Sequence, residues 1–152
     1  MFRNDGKFVK TFYLEFGGAG SGDSEQAPLP FSSADLWSIP AGCEVEKVYV
    51  IVDTAIAGTT NLDVGDDDDA DGFVDGSLSV TLGTEGMYGQ NAKVAGAYLR
   101  VETAGATDAG DIYVVPNSKY YSATGKEIKL ACSGTNSAGK ARVVVEGKLH
   151  KY

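Results

Sequence analysis

Histidine and cysteine are nearly missing from this sequence, which holds one His, His150, and two Cys, Cys43 and Cys132. General acid–base catalysis draws on His more than on any other side chain, and a His-dependent nucleophilic triad would have to use His150, two residues from the last one. The two cysteines stand too far apart for a zinc pattern or a CxxC redox pair. Cys132 shares the parity of Ile128 and Leu130, so it is expected to point inward as a small hydrophobe. Whether Cys43 and Cys132 are joined stays open. No G-x-S-x-G elbow and no Walker-type loop occurs. Glu15, Glu102 and Glu146 are the candidates for a glycosidase carboxylate pair, but each alternates with apolar residues and should face away from a core. An enzyme is therefore not expected.

Long apolar runs are also absent, and none approaches the roughly 18 residues that a membrane helix needs. Met1–Lys7 carries no apolar stretch followed by a small-residue cleavage site, so synthesis in a cytoplasm without export is expected. Basic residues are few, 13 Lys and Arg against 21 Asp and Glu, a net charge of −8. They are scattered singly, whereas a nucleic-acid backbone needs clustered Lys and Arg, so nucleic acid is not an expected partner. A helical stripe of ten or more residues is nowhere to be found.

Alternation of period two is what the sequence has in abundance. Phe8, Phe12, Leu14 and Phe16 share one face of Lys7–Phe16, and Leu78, Val80 and Leu82 share one face of Ser77–Leu82. The same pattern runs through Ala97–Thr103 (Ala97, Leu99, Val101), Lys126–Cys132 (Ile128, Leu130, Cys132) and Ala141–Leu149 (Ala141, Val143, Val145, Leu149). Each predicts a half-buried antiparallel strand. Shorter strands are expected at Leu36–Ile39, Asn61–Val64 and Asp111–Pro116. In Glu44–Thr54 the parity shifts: Val45 fits odd numbering, and Val48, Val50 and Val52 fit even numbering. A bulge near Glu46-Lys47, or a strand covered on both faces, accounts for the shift.

Turn residues separate these runs, and 20 glycines supply them. About nine short strands at this spacing predict one all-β domain over residues 1–152, an antiparallel β-sandwich of roughly eight to ten strands with jelly-roll or related Greek-key connections. The expected core includes Phe12, Leu14, Val48, Val50, Leu99, Val101, Ile128, Leu130, Val143 and Val145. Residues 1–30 comprise the first strand and a Gly/Ser-rich linker, and that strand packs on its own sandwich or is exchanged with a neighbour.

Two features carry candidate chemistry. The first is the acidic run from Asp63 to Asp75, which reads D-x-D-x-D-G at Asp67, Asp69, Asp71 and Gly72. That spacing lets three carboxylates converge on calcium, with Asp75 as a further ligand. The twelfth position of an EF-hand would be Leu78 instead of Glu, and flanking helices are lacking, so an EF-hand is excluded. A solvated loop and a docking surface for a basic partner are the other two readings. The second feature is aromatic: Trp37, Tyr88, Tyr98, Tyr113, Tyr120 and Tyr121 offer either a sugar-stacking platform or ordinary half-buried strand positions.

One stretch has a family likeness. Ile39-Pro40-Ala41-Gly42 leads into a valine-rich strand, then Gly58-Thr59-Thr60-Asn61-Leu62-Asp63-Val64-Gly65-Asp66, closing on Asp71-Gly72-Phe73. It resembles small β-sandwich proteins encoded among the virion structural genes of tailed bacteriophages. The resemblance spans Ile39 to Phe73, and the aspartates at 66–69 are denser than its pattern. It implies a capsid decoration, or cement, protein: a jelly roll, commonly a homotrimer, bound to the major capsid protein on the outside of the head, with no membrane partner. A carbohydrate- or receptor-binding domain of a tail-associated phage protein is the alternative.

Overall fold

A computed structural model describes residues 6–16, 33–75, 86–88, 96–104 and 112–150 of the chain. Its elements are β1 (Lys7–Phe16), β2 (Ser33–Ile39), β3 (Cys43–Gly65), β4 (Gly86–Tyr88), a single 3-10 turn (Ala97–Leu99), β5 (Arg100–Ala104), β6 (Ile112–Pro116), β7 (Lys119–Tyr121) and β8 (Lys126–Leu149). The expected strand Ser77–Leu82 and the linker Gly17–Pro30 lie outside the described residues, as do the side chains of Val101, Glu102 and Cys132.

All pairing is antiparallel, and the long β3–β8 ribbon is its spine, running from Cys43↔Leu149 to Gly65↔Lys129. β1 lies along the C-terminal half of β8 and β2 along its N-terminal half. β7 and β4 flank β3 on the other side, and β5 with β6 forms a separate two-stranded sheet. The ribbon's register slips repeatedly between Val52 and Asn61. Such irregularities bend a strand pair, and here both halves of the ribbon deliver side chains to one core. Val45, Val48, Val50, Val143 and Val145 from one half share a buried cluster with Leu62, Val64, Ile128 and Leu130 from the other. Phe8 of β1 meets Trp37 of β2 edge-to-face at 5.3 Å. The result is an antiparallel β-sandwich.

Alternation places the core as the sequence predicts. Leu14, Val48, Val50, Leu99, Ile128, Leu130, Val143 and Val145 are buried, and Phe12 packs partly buried against them. The parity shift also has its physical cause, because the β3–β8 register jumps between Val45 and Lys47, leaving Glu46 as a bulge.

Two expectations need correction. Glu44–Thr54 and Asn61–Val64 are one strand, and Lys126–Cys132 and Ala141–Leu149 are another. The glycines and small residues between them bend the ribbon without ending it. Gly139 shows how: its φ is +127°, and a Cβ there would lie 2.7 Å from the Ile56 Cα, so only glycine lets the chains approach at the bend. Ala97–Leu99 is a 3-10 turn and not the start of a strand, which leaves Ala97 exposed while Leu99 still reaches the core. The pairing left open by the sequence is also answered: Cys43 is a buried free thiol. Burial, ahead of the neighbouring Glu44 charge, pushes that thiol up to about 12, so it is inert at neutral pH.

The shared core predicts that Leu130→Ala, at a fully buried site, costs about 2–5 kcal/mol by chemical denaturation. Val9→Ala, on the exposed face of β1, should stay within about 0.5 kcal/mol of the parent.

Candidate functional site

At the end of β3 the chain turns through the acidic run, and the turn is built around a buried carboxylate. Asp66 is only 3% exposed. Its Oδ1 accepts the backbone N–H groups of Asp68 and Asp69, at 2.9 and 3.1 Å, and the Tyr98 hydroxyl at 2.8 Å. Its Oδ2 accepts the Tyr121 hydroxyl at 2.6 Å. Burial opposes the charge, but these four donors outweigh it and hold the Asp66 carboxyl below the ordinary carboxylate range. The same bonds raise both tyrosines, on which burial acts first and the Asp66 hydrogen bond second.

The backbone closes the loop. The Asp66 N–H donates to the Asp69 carbonyl at 2.9 Å, and the Phe73 and Val74 N–H groups both donate to the Val64 carbonyl. Gly65 is required at this closure, because a Cβ on it would sit 2.0 Å from the Asp69 carbonyl oxygen. Phe73 then enters the core, fully buried and edge-to-face with Tyr98 at 5.2 Å. The V-G-D and D-G-F parts of the sequence pattern are thus the two ends of one closed turn.

Of the carboxylates expected as calcium ligands, Asp67 turns to a lysine, while Asp69, Asp71 and Asp75 stay near one another. Asp67 pairs with Lys129 at 2.5 Å and accepts the Glu127 N–H at 3.3 Å. Next to it Asp68, outside the expected set, pairs with Lys126 at 2.6 Å. Asp71 shares a hydrogen bond with Asp69, and with burial and the charges of Asp69, Asp75 and Asp63 this pushes the Asp71 carboxyl up to about 6. Among the described residues no three carboxylate, His or Cys side chains are gathered as a metal ligand set.

The aromatic candidates are also dispersed. Tyr98 and Tyr121 are turned inward to Asp66, and Trp37 packs against Phe8 with Lys10 over its ring at 4.7 Å. Tyr120 is exposed and meets His150 edge-on. The side chains of Tyr88 and Tyr113 lie outside the described residues. His150 Nε2 lies 2.8 Å from Glu44, whose other oxygen accepts the Ser118 hydroxyl at 2.7 Å. A nucleophilic triad places His between hydroxyl and carboxylate. Here Glu44 stands between the two, so the order of a triad is not kept. Glu15 faces Lys140 at 3.6 Å, and Glu146 accepts the Tyr49 hydroxyl at 2.9 Å.

A second surface stands out, on the outer face of the β1-β8-β3-β4 sheet. Cross-strand partners there run Tyr13–Arg142–Ile51–Met87, with Thr11–Val144–Tyr49 in the next row and Val9–Glu146–Lys47 beyond it. Tyr13 is 65% exposed, Val9 48% and Met87 46%. Three of the four large exposed apolar side chains among the described residues therefore share one face. The charge of Arg142 is neutralised within that face by a two-pronged bond to Asp53. Beside the Glu46 bulge a groove of about 320 Å³ opens between Phe8, Lys47 and Glu146, with lysine and glutamate charges on its walls. In comparisons with known proteins, no family model, no curated protein and no solved structure matches the chain.

The role of Asp66 escaped the reading of spacing, which singled out the alternate aspartates. An aspartate just after the strand, able to bond the backbone two residues on, was the available signal. Truncating it leaves two tyrosine hydroxyls and two N–H groups without their acceptor. Asp66→Ala should cost about 3 kcal/mol in denaturant, whereas Asp67→Ala, at an exposed ion pair, should leave the denaturation midpoint nearly unchanged.

Asp71 gives the loop a pH dependence. The folded chain holds its proton up to about 6, and the unfolded chain releases it near the ordinary value of 3.8. Between those values the native state binds more protons, so this group's contribution to stability falls as pH rises. Asp71→Asn should therefore raise the melting midpoint at about pH 7.5 and change it much less at about pH 4. Calcium held by Asp69, Asp71 and Asp75 predicts a midpoint that climbs with calcium concentration. A loop held by Asp66 and the lysines alone predicts the same midpoint in EDTA and in millimolar calcium.

Proposed function

We propose that this chain is a structural protein of a phage particle, a decoration protein that binds the outside of the head and stabilises the capsid lattice through contact with the major capsid protein. The observation that carries the reading is that Val9, Tyr13 and Met87 are exposed on one outer sheet face, whose Arg142 charge is neutralised internally. Apolar anchors ringed by polar groups are the anatomy of a protein–protein contact. The partner is drawn from the resemblance of the turn-strand-turn pattern at Ile39–Phe73, and the sandwich fold is compatible with it. The rival, a sugar- or receptor-binding domain, draws less support, because Trp37, Tyr98 and Tyr121 are engaged within the fold.

The test is to mix the purified protein with phage heads that lack it and to measure stoichiometry and the resistance of the heads to heat. Saturable binding that raises the temperature of head disruption is expected. Met87→Asp, on an exposed side chain, should fold normally and weaken binding about tenfold or more, the loss of one anchor. A protein that ignores heads and is retained by a polysaccharide or a tail component would overturn the proposal.

A further inference from the structure

The six-stranded sheet ends at β1. β1 pairs with β8 in unbroken register from Lys7↔Lys148 to Phe16↔Gly139. The Leu149 N–H donates to the Gly6 carbonyl at 2.8 Å, and the next residue, His150, donates to Gly42 at the other side of β8. In an antiparallel ladder, residues that exchange both backbone bonds with a neighbour alternate with residues whose groups point the opposite way. The even-numbered residues of β1 therefore face β8. Val9, Thr11 and Tyr13 aim their N–H and C=O groups at the other edge, which meets no other strand among the described residues.

Proteins usually blunt such an edge with a proline, a bulge or a very short strand. β1 has none of these: it is ten residues long, regular in register, and free of proline and glycine, and its one inward-pointing charge, Lys10, is taken up over the Trp37 ring at 4.7 Å. We propose that a second copy of this chain pairs its own β1 antiparallel against this edge, about a two-fold axis through Thr11. Only odd-numbered residues present edge groups, so odd must face odd. The register that sets Thr11 opposite Thr11 of the second copy uses the whole strand, and the sequence is complementary to itself in that register. Val9 faces Tyr13, and Lys7 faces Glu15, giving apolar and opposite-charge pairs on each side of the axis. On the inner face Phe8 faces Leu14, an apolar pair, and Lys10 faces Phe12, a cation beside an aromatic ring. The contact is isologous and closes at two copies.

This association is independent of the capsid reading, since it holds or fails in purified protein with no head present. It also replaces the three-fold symmetry that the family resemblance implies with a two-fold one. It would join two outer faces into a single wider surface.

Sedimentation equilibrium of the full chain across a concentration series tests it. The expected result is a monomer–dimer equilibrium that Thr11→Pro abolishes, with the β-rich circular-dichroism spectrum retained. The Thr11 N–H is not used by β8, so proline there removes only an edge donor. Should that variant fail to fold, Val9→Asp/Tyr13→Asp decides instead, placing like charges opposite one another on side chains already exposed. Under mild oxidation Thr11→Cys should give a covalent dimer. Val9→Cys and Tyr13→Cys should cross-link efficiently only when mixed with each other, above the background of a parent chain carrying Cys43 and Cys132. A monomer at every concentration, a trimer, or a dimer that survives the edge variant without cross-linking through position 11 would overturn the proposal.

Discussion

A buried, ionised aspartate is the interaction on which much of this molecule's arrangement depends. Isolated in an apolar interior, a carboxylate charge would be prohibitively costly, and the fold meets that cost with four hydrogen bonds from three separate segments. Two donors come from the turn itself, one from the 3-10 turn at Ala97–Leu99, and one from β7. Asp66 thereby fastens the end of β3 to segments that follow it far along the chain. Tyr121 is bonded to Asp66 while its backbone pairs with Cys43 at the start of β3. Both ends of the same strand are thus tied to β7, which a bent ribbon permits and a straight one does not.

The same loop treats neighbouring carboxylates in opposite ways. Asp66 is surrounded by donors and held in its charged form. Asp71 is surrounded by other carboxylates and driven toward its neutral form. Between them Asp67 and Asp68 are matched by Lys129 and Lys126 of β8. Part of the loop's acidity is therefore already answered from within the fold. This shifts attention to the outer face of the β1-β8-β3-β4 sheet, where apolar side chains are exposed and the central charge is neutralised.

Strand parity was legible because alternation needs only the local sequence. It located the core residues of β1, β3 and β8, and the slip between Val45 and Val48 marked the Glu46 bulge. What local pattern did not carry was continuity across Ala57–Gly58 and Gly134–Gly139. Glycine ends a strand in one setting and bends a ribbon in another, and the partner strand decides which. The short β7 lacked any alternation of its own and depends on β3 for its pairing. The buried role of Asp66 was hidden for a related reason. Its charge-bearing neighbours drew the metal reading, while its actual partners, Tyr98 and Tyr121, lie 32 and 55 residues away in the chain.

These observations support a division of labour in which Asp66, Asp67 and Asp68 of the acidic loop are engaged by the fold itself and, as we propose, the outer sheet face is offered to a partner. Hydroxyl-radical footprinting of the protein, free and bound to phage heads, tests that division most directly, since Tyr and Met are readily oxidised and both stand on the face in question. The account predicts that Tyr13 and Met87 lose reactivity on binding while Tyr120, exposed elsewhere, keeps its own. Protection confined to the 66–72 loop or to Tyr120, with Tyr13 and Met87 as reactive as before, would contradict it.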